Sequence, residues 1–139
     1  MKKKKLLPLL FSAVATLALA GPTPAPEDAE LYFVALEDGA TVSSPVTVAF
    51  GLSGMGVAPV GVEHPNTGHH HLLLNVDELP DMDMPIPADD RHIHFGGGQT
   101  EVQLDLEPGT HTLQLLLGDH YHIPHNPPVM SERISIVVE

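Results

Sequence analysis

Prolines and glycines, 14 and 12 of them in 139 residues, cut this chain into short apolar runs, and that punctuation most constrains what it can fold into. Proline in a helix interior removes a backbone donor, and no segment of useful length repeats its apolar residues with helical period. The runs therefore read as strands. Residues 31–36 form a first one, closed by the turn Glu37-Asp38-Gly39-Ala40, and Val46-Thr47-Val48-Ala49-Phe50 alternates as a half-buried second. Residues 51–68, with Gly51, Gly54, Gly56 and Gly61, read as loop. A third strand spans residues 69–76, where Leu72, Leu74 and Val76 share a parity with His70 while His69 and His71 take the other. Residues 92–95 make a short strand ended by Gly96-Gly97-Gly98. Residues 100–106 turn Val102, Leu104 and Leu106 inward, and residues 111–117 return across Glu107-Pro108-Gly109-Thr110 as their hairpin partner. Residues 133–138 are the last strand, whereas Asp81-Met82-Asp83-Met84-Pro85-Ile86-Pro87 is barred from a sheet centre by its prolines. About seven strands in one small domain predict an all-β, immunoglobulin-like antiparallel β-sandwich, with a jelly roll or small barrel as the alternative.

The four lysines at 2–5, the apolar run over residues 6–19 and the small residues Ala18 and Ala20 predict a secretory signal peptide over residues 1–20. A Pro-rich, acidic linker follows over residues 21–30, and the His-rich domain occupies residues 31–139. The expected location is the periplasm or the secreted fraction, with no membrane insertion after signal cleavage. The net charge of −12 would deepen to −16 without the four lysines, leaving Arg91 and Arg133 against eighteen carboxylates. Such a balance excludes nucleic acid and anionic lipid as partners and concentrates cations at the surface. With no cysteine, thiolate metal chemistry is excluded and the domain must stand on its core alone.

Histidine carries the chemistry. Ten are present, and three His-x-His pairs stand out, at His69 and His71, His92 and His94, and His120 and His122. In an extended segment, side chains two apart point the same way about 7 Å from one another, so each pair presents two imidazoles to one side. With loops gathered at the ends of a sandwich, nine of the ten fall at one end and His111 at the other. The expected metal ligands are His69, His71, His94, His120 and His122, followed by His70, His92 and His125. Cysteine-free imidazole sites suit Cu(II), Zn(II) or Ni(II), with Cu(II) favoured by intrinsic affinity, and the expected cofactor is a divalent ion, copper or zinc. Met55, Met82, Met84 and Met130 are weighed as soft donors, Asp89, Asp90 and Asp119 as oxygen ligands or partners that fix a histidine tautomer, and residues 96–98 as a backbone nest for an anion.

At Gly68-His69-His70-His71-Leu72-Leu73, at His94-Phe95-Gly96-Gly97-Gly98-Gln99-Thr100, over residues 109–120 ending in Gly118-Asp119-His120, and at Pro127-Pro128-Val129-Met130-Ser131, the chain resembles a bacterial family of exported, His-rich domains of unknown function. The resemblance spans residues 31–138. It implies a single exported domain with residues 68–71, 94–100 and 118–125 as signature positions, and it implies no activity.

Three functions compete at this point. The first is an exported metal-binding domain for storage, delivery or resistance. The second is a metal-dependent enzyme of the cell envelope. Against it, the Glu expected shortly after a cupin-type His-x-His is absent, the cysteines of a copper-zinc superoxide dismutase are missing, and no Gly-x-Ser-x-Gly marks a hydrolase. No catalytic residue is assigned. The third is a structural envelope sandwich with packed histidines. Its aromatic surface for sugar stacking would be poor, since the chain holds two tyrosines and no tryptophan.

Overall fold

In Val46–Ser53 the inward positions Val46, Val48 and Phe50 are buried and Thr47 is exposed, the alternation a strand shows when one of its faces meets a core. The computed structural model describes residues 22–139, so the expected signal peptide lies outside the described residues. Nine strands and no helix form among them: β1 (Glu30–Val34), β2 (Thr41–Val42), β3 (Val46–Ser53), β4 (Gly56–Val57), β5 (Thr67–Leu74), β6 (His92–His94), β7 (Glu101–Leu104), β8 (Gly109–Gly118) and β9 (Ile134–Val138). They make a β-sandwich. One sheet has the order β1-β3-β7, and the other the order β2-β9-β8-β5-β4, with β6 also paired to β5. Pairing is antiparallel except at β2–β9 and β4–β5.

The core lies between the sheets, built from Leu31, Val48 and Phe50 of one and Leu72, Leu113, Leu115, Leu117 and Ile136 of the other. Full burial of each such side chain contributes about 1.5–3 kcal/mol, so the fold rests on this layer rather than on histidine chemistry. His70 joins it as its parity predicts: the ring is fully buried, 5.1 Å from that of Phe50.

One pairing departs from expectation. β7 does not hairpin with β8; it pairs with β3, Val46 opposite Leu104, while β8 lies between β5 and β9. The apolar residues of β7 and β8 face one core from opposite sides, so residues 105–108 pass from one sheet to the other instead of turning within one.

A second, smaller apolar cluster covers the outer face of the larger sheet. There the Pro-rich strap over residues 81–87 lays Met82 and the buried Ile86 on Leu73 and Leu116. No helix among the described residues is long and apolar enough to cross a membrane.

Candidate metal centre

β5 supplies a fixed pair. His69 and His71 lie two apart on its outer face, both essentially inaccessible to solvent, and β5 is hydrogen-bonded to β8 along one edge and to β4 and β6 along the other. His94 arrives by register: it sits directly opposite His71 on β6, where facing side chains are nearest neighbours. Two glycines make the room these rings occupy. A Cβ on Gly118 would stand 2.7 Å from Cε1 of His71, and one on Gly96 would collide with the His94 ring.

His122 comes from the loop after β8, and Asp119 shapes that loop. Its Oδ1 accepts the backbone N–H groups of Tyr121 and Ile123 at 2.8 and 3.0 Å, and its Oδ2 accepts the Thr23 hydroxyl at 2.7 Å. The His122 N–H closes a turn on the Asp119 carbonyl, and its own carbonyl accepts the N–H of Ile86 from the strap. His122 takes a φ of +66°, a left-handed conformation uncommon outside glycine, which turns its ring back over the sheet. Thr23 belongs to the stretch read as linker. Here that stretch is tied down, with Pro24 bridged to Asn126 and the Ala25 N–H on the Asn126 carbonyl.

Together these elements bring His69, His71, His94 and His122 into one group, with a candidate ligand atom from each within 4.8 Å of every other. Ring centroids are 4.8 Å apart for His69–His71, 4.9 Å for His69–His94 and 5.1 Å for His69–His122. They are 5.0 Å apart for His71–His94, 5.9 Å for His71–His122 and 4.6 Å for His94–His122. His69 Nε2 and His122 Nδ1 lie within hydrogen-bond distance of one another at 3.3 Å. By contrast, His69 Nδ1, both ring nitrogens of His71 and His94 Nε2 are buried without a partner. An orphaned buried polar group costs about 1–3 kcal/mol, so convergence of this many is an arrangement a bound cation relieves.

The electrostatics agree. Burial, then the nearby imidazoles of His94 and His122, lowers His69 to about 4, and burial, then His69, His94 and His122, lowers His71 to about 3. His94 is lowered by burial and by His122. These rings are neutral at neutral pH, the form that ligates metal. At Asp119, burial pushes the carboxyl upward, but the hydrogen bonds from Thr23, Tyr121 and Ile123 outweigh it and hold the group below its ordinary value.

The remaining expected ligands go elsewhere. His120 leaves the site because residues two apart in a turn diverge: its ring stacks on Tyr121 at 4.1 Å, and its Nε2 lies 3.8 Å from a Glu63 carboxylate oxygen. It lines a cavity of about 590 Å³ with Glu63, Asp83 and Tyr121, and none of the four clustered histidines faces that space. His92 is held by Asp89, whose Oδ1 lies 2.8 Å from its Nδ1. His70 faces the core, and buried His125 donates from Nε2 to the Thr67 carbonyl at 3.1 Å. His111 is paired with Asn75 and the Glu107 carbonyl, away from the site. Among the described residues no carboxylate joins the group, and the methionines weighed as donors lie elsewhere: Met55 packs on the main core, Met82 lies in the smaller cluster, Met84 and Met130 are exposed, and Asp119 serves the loop. Gly97 uses its N–H on the Gln99 side chain, so residues 96–98 act by close approach rather than as an anion nest.

Sequence reasoning missed Thr23 and Ile86, whose contacts with the ligand loop cross the fold. No local signal marks either.

No curated protein and no solved structure matches the chain. A family model does match, over residues 48–139, a span that begins within β3 rather than at residue 31 and holds all four clustered histidines; the chain belongs to the family described as Domain of unknown function (DUF4399).

Proposed function

We propose that this chain is an exported metal-binding domain in which His69, His71, His94 and His122 hold one copper or zinc ion for storage, delivery or resistance. The observation that carries the reading is the convergence of four imidazoles, three of them with unpartnered buried nitrogens, on one patch of sheet. Export rests on the lysines at 2–5, the apolar run after them and Ala18-Leu19-Ala20. The strand order β1-β3-β7 against β9-β8-β5 follows the A-B-E and G-F-C arrangement of immunoglobulin-like sandwiches, which supports that finer reading of the fold.

Holding fits better than turnover. Four protein ligands fill a four-coordinate shell, whereas catalytic zinc sites keep one position for water or substrate. The site also lies on the outer face of the larger sheet, away from the main core, so loading and release need not unfold the domain. Two ligands are fixed on β5, and the half-buried His94 and His122 come from a three-residue strand and a loop, an arrangement through which an ion can enter. Calorimetric titration of chelator-treated protein should give one tight site. Binding no tighter than about millimolar would refute the reading.

A further inference from the structure

We infer that the four-histidine centre is shaped for a tetrahedral ion and turns selection toward zinc(II) and away from copper(II), working against the order that intrinsic affinity alone would set. The inference rests on the proposed metal site and adds the identity of its ion. With metal–nitrogen bonds of about 2.0–2.1 Å, imidazole centroids lie about 3.2 Å from the metal, and a tetrahedron then sets all six pairs about 5.2 Å apart. A square plane, the geometry of Cu(II) or Ni(II), would set four pairs at about 4.5 Å and two diagonals at about 6.4 Å. Five of the six pairs here fall between 4.6 and 5.1 Å, and the sixth, His71–His122, is 5.9 Å. The two diagonals of a square share no corner, so if His71–His122 were one, His69–His94 would be the other. That pair is 4.9 Å apart, so the rings do not describe a square.

The scaffold resists conversion to one. His69 and His71 sit on a strand hydrogen-bonded along both edges, His94 is fixed opposite His71, and the Gly118 and Gly96 backbones press on two of the rings. Copper(I) also accepts a tetrahedron but favours thiolate and thioether donors, whereas Met55 packs on the main core, Met82 lies in the smaller cluster and Met84 and Met130 are exposed. A cage of four imidazoles with near-tetrahedral spacing is left, which suits zinc.

Cobalt(II) tests the geometry, because its visible absorption is intense when tetrahedral and faint when octahedral. Chelator-treated protein titrated with Co(II) should give the intense spectrum at one equivalent and lose it on adding one equivalent of zinc. In parallel, the preference for Cu(II) over zinc should be at least about tenfold smaller in the protein than in a free peptide of residues 66–74, where nothing constrains the rings. A faint Co(II) spectrum with tight binding, or a copper preference equal to that of the peptide, would overturn the zinc assignment and leave the metal site standing. Absence of tight binding by Co(II), zinc and copper alike would overturn both.

Discussion

His69, His70 and His71 are consecutive on β5 and equally buried, yet the two faces of the strand give them opposite surroundings. On the outer face, His69 and His71 meet other imidazoles, those of His94 and His122. On the inner face, His70 meets Phe50, which in turn packs on Phe95, and neither of its ring nitrogens has a partner. Burial and a lowered pKa are common to all three, so neither marks a site. Convergence of donors does.

The largest effect should come from breaking the outer face. Replacing His69 and His71 together by alanine should reduce metal binding to the about millimolar level of loosely held ions, while circular dichroism keeps its β signal because the core lies on the other side of the sheet. His92→Ala and His111→Ala, measured the same way, should bind like the parent, since both rings are engaged elsewhere.

A smaller loss should follow when the support is removed and the ligands are kept. Asp119→Ala frees the Tyr121 and Ile123 N–H groups and the Thr23 hydroxyl, loosening the turn that aims His122. By analogy with other partners that orient ligands, affinity should fall about 10–100-fold in a competition titration.

The inner face should answer in the opposite sense. His70→Leu replaces two unpartnered polar atoms with an apolar side chain of similar size among Phe50 and Leu72, so urea denaturation should show a gain of about 1–3 kcal/mol with metal affinity unchanged. A loss of affinity in this variant would erase the distinction between the faces.

The most gradual effect concerns both faces at once. In the unfolded chain these three rings titrate at 6.5, whereas in the folded one His69 and His70 are held to about 4 and His71 to about 3. As pH falls below 6.5, the unfolded chain takes up protons that the folded chain refuses, so the stability fully present above 6.5 is lost progressively down to about 4 and 3. The urea midpoint of metal-free protein should therefore drop between pH ~7 and ~5, and a midpoint that rises over that interval would contradict the burial of neutral rings.

Much of this was legible in the residues themselves. Alternation in Val46–Ser53 and the parity of Thr67–Leu74 foretell which side chains face the core, including the division of His70 from His69 and His71, because strand geometry is local. The same rule misleads at His120 and His122, which stand in a turn set by Asp119, where two residues of separation no longer mean a shared face. His92 likewise cannot be told from His94 by spacing, since what separates them is the Asp89 carboxylate beside one and the register with His71 beside the other. The sheet to which β7 belongs was hidden because both sheets bury the same apolar alternation.

The central claim is that one ion is held by four particular histidines, and side-chain nitrogen NMR tests it most directly. Uniformly 15N-labelled protein, titrated with zinc to one equivalent, should show coordination shifts at a ring nitrogen of each of His69, His71, His94 and His122, with His70, His92, His111 and His125 unmoved. Shifts spread over the exposed histidines, or centred on His120 with His69 and His71 unchanged, would contradict it.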